Sequence, residues 1–101
     1  WDVMICPAAA SAAFPHDHVG ERHERTITVN NKRVATTDQL FWAGYSGCFL
    51  LPSTVAPMGL TPEGLRAGVQ IITRQYGDYT SIRFAELLEK DYAGFVPPPG
   101  Y

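Results

Sequence analysis

Cysteine is scarce. Cys6 and Cys48 are the two present, and they follow neither a CxxC nor a metal-finger spacing. Cys6 closes an apolar run, where a free thiol packs as a small hydrophobe. No disulfide and no oxidising compartment is therefore expected. A basic excess is missing as well: 8 Lys plus Arg stand against 10 Asp plus Glu, for a net charge of -2. Without a basic stripe to neutralise phosphates, nucleic acid is not an expected partner. No apolar run approaches the roughly 20 residues of a membrane helix, and no basic stretch leads into an apolar signal core. These absences together predict a cytoplasmic protein that engages no membrane. There is also no Gly-Gly and no Ser-Ser pair. The chain opens on Trp1, inside an apolar run, and reads as a piece of something longer.

What is present is a core-forming composition: 101 residues, 46% hydrophobic and 12% aromatic, too apolar for disorder. The length fits one segment, 1–101, and excludes a multi-domain catalyst. Residues 1–6 are an apolar run stopped by Pro7 and predict a buried strand. Residues 8–25 are small or polar, without periodicity, and predict a connector. From Thr26 to Ala35, apolar alternation around Asn30-Asn31 predicts a β-hairpin, because Asn tolerates the positive φ of a tight turn. Thr36, Thr37 and Asp38 can accept orphan N–H groups, so a helix is expected from Asp38 to about Gly47. A short strand over 53–56 should stop at Pro57 and Gly59. After a turn at Thr61–Gly64, the near-continuous apolar run of Ala67 to Thr73 predicts a strand buried on both faces. A final helix should start with Asp78 as N-cap, carry Ile82, Ala85, Leu88 and Tyr92 as its apolar stripe, and end near Ala93. Gly94 suits a left-handed cap, and Pro97-Pro98-Pro99 an extended arm.

Catalytic groups are hard to find. Hydrolysis needs a nucleophile, a base and oxyanion donors. Ser46 in Gly44-Tyr45-Ser46-Gly47 lacks the glycine that a nucleophile elbow requires at position 48 and follows a helix, not a strand. Packing of a small residue explains it better. Lys32 belongs to a turn and Lys90 to a helix end, where a cation complements the dipole. Glu86, Glu89 and Asp91 form a solvated helix face. His16, His18 and His23 form a candidate metal set, although a solvated loop accounts for them better. Phe41, Trp42 and Tyr45 fall at helical spacing and either fill the core or line an apolar substrate pocket.

The order of the pieces resembles the C-terminal part of the amidase-signature family. Trp1-Asp2-Val3-Met4-Ile5-Cys6-Pro7 resembles that family's Asp-x-Leu-Leu-x-Pro strand. Leu51-Pro52-Ser53-Thr54-Val55-Ala56-Pro57-Met58-Gly59 resembles its Leu-Pro-Ala-x-x-x-Pro-x-Gly segment. Most specific is Gly64-Leu65-Arg66-Ala67-Gly68-Val69-Gln70-Ile71-Ile72, which is similar to its Gly-Leu-Pro-x-Gly-Val-Gln-x-x strand, with Arg66 where the family usually has Pro. Gly77-Asp78 and a helix follow, and Gly94-Phe95-Val96-Pro97-Pro98 is similar to a common family ending.

The resemblance implies an α/β fold: part of a mixed-sheet amidase domain, with short strands, a hairpin and a covering C-terminal helix. It implies hydrolysis of a small-molecule carboxylic amide by two serines and a lysine, one serine bearing an unusual cis peptide bond, in a Gly-Ser-rich signature upstream of these residues. No catalytic residue is carried onto this chain and no cofactor is implied. Phe41, Trp42 and Tyr45 become candidates for one wall of the acyl pocket. A homo-oligomer is expected if the piece folds by itself, because its strands would lose their neighbours. Two other readings compete: a stand-alone α/β binding or interaction module without catalysis, and a small metal-dependent protein using the three histidines.

Overall fold

The computed structural model describes residues 1–98 and 100. Among the described residues, five strands and two α-helices follow in the order β1 (Val3–Pro7), β2 (Thr26–Val29), β3 (Lys32–Ala35), α1 (Phe41–Cys48), β4 (Ser53–Leu60), β5 (Arg66–Thr73) and α2 (Asp78–Asp91). The molecule is mixed α/β, and both of its sheets are antiparallel.

The main sheet has the order β1-β5-β4, so the most continuously apolar strand lies in the middle. Its C-terminal half is closed from both faces: Gln70, Ile71, Ile72 and Thr73 are all buried, with Ile71 at 0% exposure. β5 pairs with β4 with Thr54 opposite Ile71 and Val55 opposite Gln70. β1 departs from expectation. It is an edge strand that extends through Pro7, and Cys6 alone in it is buried, while Ile5 is 51% exposed. Only one of its sides has a partner, and helices do not cover its whole length.

β4 also departs, running straight past Pro57 to Leu60 instead of stopping. It is the opposite edge strand, where a residue without an N–H donor is tolerated. The pairing skips one residue between Pro57 and Gly59, and this bulge uses the φ of +103° at Gly59. The turn to β5 is closed by Gly64 N–H donating to the Thr61 carbonyl at 2.9 Å.

α2 packs on β4 and β5. The pair Thr54 and Ile71 marks the sheet face it covers, where Thr54 Oγ1 lies 2.8 Å from Ser81 Oγ. Its inward stripe is Ser81, Phe84, Ala85 and Leu88, at the i, i+3, i+4, i+7 spacing of one helix face. The expected stripe shares Ala85 and Leu88 with it, but Ile82 and Tyr92 are exposed. The cap is Gly77, not Asp78, which is the first helical residue and still suits the positive end of the dipole. Only glycine fits there: a Cβ at Gly77 would lie 2.8 Å from both the Arg74 carbonyl oxygen and Thr73 Oγ1. Gly94 does not take the left-handed conformation, since Tyr92 is the C-terminal cap. Pro99, part of the expected proline arm, lies outside the described residues.

The hairpin forms as expected. β2 and β3 pair across Asn30 and Asn31, whose φ values of 50° and 62° are those of a two-residue type I′ turn. The aromatic helix starts later than expected. Thr36–Leu40 makes a 3-10 turn, and α1 begins at Phe41, without a side-chain cap from Asp38.

Candidate functional site

α1 lies on the sheet face opposite α2. Cys6 and Gln70, opposite each other in register, mark that face. Gln70 is 4% exposed, and its Nε2 donates to the Trp42 carbonyl at 2.9 Å and contacts Cys6 Sγ at 3.3 Å. The far end of α1 is held by the Leu51 N–H, which donates to the Ser46 carbonyl at 2.9 Å, and by Ser53 Oγ, 3.3 Å from Ser46 Oγ.

The three aromatic candidates separate on this helix. Tyr45 is half-buried and lines a cavity of about 230 Å³ together with Trp1, Met4, Leu51 and Ile72. Trp42 is half-buried, while Phe41 is 66% exposed and packs edge-on against the Trp42 ring at 5.1 Å. Sequence reasoning missed Phe49, whose ring centroid is 5.0 Å from that of Tyr45. The i, i+4 spacing from Tyr45 was an available signal. It missed Met4 and Leu51 too, which reach the cavity from β1 and from the segment before β4, and no spacing within α1 points to them.

The serines lack bases. Ser46 is buried, and its hydroxyl meets the Ser53 hydroxyl, with no Lys or His among the hydrogen bonds these two make in the described residues. Ser81 is 1% exposed and is held between Thr54 Oγ1 and the Asp78 carbonyl, to which it donates at 2.8 Å. Both are structural hydroxyls. Lys32 opens β3 and Lys90 lies in the last turn of α2, both exposed.

The histidine set does not assemble. His16 and His18 are exposed and stack on each other at 5.7 Å, while His23 sits in a separate 3-10 turn at Arg22–Glu24. Among the described residues no group of three or more His, Cys, Asp or Glu is placed to hold a metal ion. Cys6 and Cys48 are both free thiols, one buried and one exposed. The Thr61 hydroxyl, followed by the Glu63 backbone, hydrogen-bonds the Glu63 carboxyl and lowers its pKa. That residue lies in the β4–β5 turn, away from α1. No helix among the described residues is long and apolar enough to cross a membrane.

No family model matches the chain. Curated proteins do. A glutamyl-tRNA(Gln) amidotransferase subunit of Methylocella silvestris is 31% identical over 98 residues, 97% of this chain and 18% of that protein. Fatty-acid amide hydrolase 2 of Homo sapiens is 34% identical over 74 residues, 70% of this chain and 14% of its own length. Fatty-acid amide hydrolase 2-A of Danio rerio is 42% identical over 57 residues, 54% of this chain and 11% of that protein. The chain thus spans less than a fifth of the relatives it matches. The similarity to two differently named groups of amide-processing proteins, one of them over nearly the whole chain, shows that the chain belongs to the amidase-signature family, as a C-terminal segment.

Proposed function

We propose that this segment works as part of an amidase that hydrolyses carboxylic amide bonds, with the two serines and the lysine of the reaction upstream of these residues. The observation that carries this reading is the similarity over 97% of the chain to an amidotransferase component, combined with buried serines that have no base beside them. In this role β1, β5, β4 and α2 supply a part of a larger mixed sheet and its cover. Phe41, Trp42 and Tyr45 supply one wall of the acyl pocket, Tyr45 at the cavity and Trp42 and Phe41 continuing the apolar surface outward. The substrate is a small-molecule amide, in keeping with a cavity that sets the apolar Met4, Leu51 and Ile72 and the Tyr45 ring beside the polar Asp2, Thr73 and Arg74. The working compartment is the cytoplasm.

A panel of aliphatic and aryl amides, assayed with the 101-residue chain and with a complete amidase polypeptide carrying it, tests the reading. The complete polypeptide should turn over and the segment should not, because the segment contains no nucleophile, base and oxyanion-donor set. Turnover by the segment that disappears in Ser46→Ala would place the chemistry here after all.

The partly covered sheet bears on the competing view of a stand-alone module. Ile5 on the α2 side and Val55 on the α1 side are both more than half exposed, and each of β1 and β4 has one unpaired edge. Such edges pair with further strands when these are offered. The isolated chain should therefore self-associate. Sedimentation over a hundredfold concentration range checks this, and a single monomeric species throughout would favour the module.

A further inference from the structure

We infer that Gln70 is a positioning residue: it sets α1 on the sheet and thereby places the Tyr45 ring at the cavity, so that it governs acyl-group selectivity without touching the substrate. This rests on the reading of α1 as an acyl-pocket wall.

The geometry assigns the role to one side chain. Gln70 stands on the central strand, almost wholly withdrawn from solvent, among residues where a polar amide is costly unless it is paired. Its amide nitrogen spends its protons on two groups of different elements: the carbonyl of Trp42 in α1 and the thiol of Cys6 in β1. The Trp42 carbonyl lies in the first turn of α1, whereas the other tethers, through Ser46, Ser53 and Leu51, lie at its end. Two points fix a rod in direction as well as in place. Tyr45 sits between them. With the first point released, the start of α1 keeps its link to the Thr36–Leu40 turn, where Gln39 Oε1 accepts from Ser11 Oγ at 2.8 Å, but no hydrogen bond to the sheet among the described residues. The helix can then tilt about the second.

Apolar packing does not replace this bond. α1 has eight residues, Phe41 and Phe49 at its ends are mostly exposed, Trp42 and Tyr45 are no more than half-buried, and the side chain it buries fully is Ser46. A helix that short is marginal by itself, so its attitude depends on what holds it. A hydrogen bond also has a direction, which apolar contact lacks. The same amide reaches β1, which supplies Met4 to the opposite wall of the cavity. The ladder that sets Met4 opposite Ile72 already fixes β1 on β5, so the Gln70 bond to Trp42 decides where α1 stands against that wall.

The test compares Gln70→Met with Tyr45→Ala in a complete amidase polypeptide, over amides of increasing acyl length. Gln70→Met removes the donor at nearly constant volume. It should reduce the preference for long over short acyl groups by roughly three- to tenfold, carried by KM rather than by kcat. Tyr45→Ala should shift the same preference in the same direction. A shift in Tyr45→Ala with none in Gln70→Met overturns the role of Gln70 and leaves the pocket wall standing. No shift in Tyr45→Ala overturns the wall, and the placement of α1 is then decided by NMR on the complete polypeptide. The separation of the Tyr45 ring from Met4 and Ile72, which line the same cavity, should change in Gln70→Met, and an unchanged separation overturns the inference. Should Gln70→Met not fold, Gln70→Glu replaces it, since its carboxyl donates to the Trp42 carbonyl only while protonated. Selectivity in that variant should recover toward acid pH and fall as the carboxyl ionises. Cys6 on β1 and Tyr45 on α1, the titratable neighbours, are common to both proteins and cancel in the difference. A profile indistinguishable from wild type across the range overturns the proposal.

Discussion

In the β1-β5-β4 sheet Ile71 and Ile72 are withdrawn from solvent, whereas in the β2–β3 hairpin every residue keeps some exposure. The two regions draw on similar residues, with Ile, Val and Thr prominent in each. What separates them is the number of layers. β5 has a strand on each side, α2 on one face and α1 on the other, while the hairpin is a two-stranded ribbon without a helix across it. Two strands by themselves are marginal in water. β-branched composition therefore makes strands in both places, and only a layered surrounding turns one of them into a core.

The largest effect expected from this contrast is at Ile71. Ile71→Ala should cost about 2–5 kcal/mol in a denaturant melt, because a filled site becomes a cavity. Ile27→Ala, in the half-buried hairpin, should cost less than about 1 kcal/mol, since less area returns to water. Equal losses at the two positions would break the distinction. Next in size is the hydroxyl pair under α2. Ser81→Ala leaves Thr54 Oγ1 without its 2.8 Å partner and should cost about 1–3 kcal/mol. The double variant with Thr54→Val should recover part of this in a mutant cycle, because no orphan then remains. Strict additivity would show that the two hydroxyls do not depend on each other.

A smaller and more local effect is expected in the hairpin turn. Asn31, at φ 62°, should tolerate Gly, while Asn31→Val should cost about 1–2 kcal/mol of hairpin stability. Hydrogen exchange should quicken in β2 and β3 and stay unchanged in β5, and equal loss of protection in β5 would join the two regions into one unit. The smallest effect belongs to Glu63. Its pKa is lowered in the folded chain, so the stability it contributes is present above the unfolded carboxylate pKa and disappears as the pH falls through the lowered folded value. Thr61→Val should return its NMR titration toward the ordinary glutamate range. An unchanged titration in that variant would assign the lowering to the Glu63 backbone instead of the Thr61 hydroxyl.

Much of the architecture is written in short stretches of chain. Asn30-Asn31 makes its turn because two adjacent residues that accept positive φ suffice, whatever lies around them. The run Ala67 to Thr73 announces a central strand because a near-continuous apolar run loses little by being covered on both faces. The motifs of β1, β4 and β5 carry the family for the same reason, being contiguous. Other features became visible only with distant partners in place. Pro57 stops a strand in isolation, yet β4 runs through it because it falls on an edge. The inward face of α2 is rotated away from Ile82 because Ser81 finds Thr54, 27 residues away, and a paired hydroxyl is as acceptable inside as an aliphatic group.

At the candidate site the division is the same. The aromatic spacing of Phe41, Trp42 and Tyr45 marks α1 as unusual, but Tyr45 becomes the ring at the cavity only because Met4, Leu51 and Ile72 arrive from three other stretches of chain. Gln70 reads as one polar residue in an apolar strand until the Trp42 carbonyl, 28 residues away, is brought to 2.9 Å. Turns and strand tendencies act over a few bonds and are settled by neighbours in sequence. Burial of a polar group depends on a partner from elsewhere, and which partner arrives is settled only when the layers close.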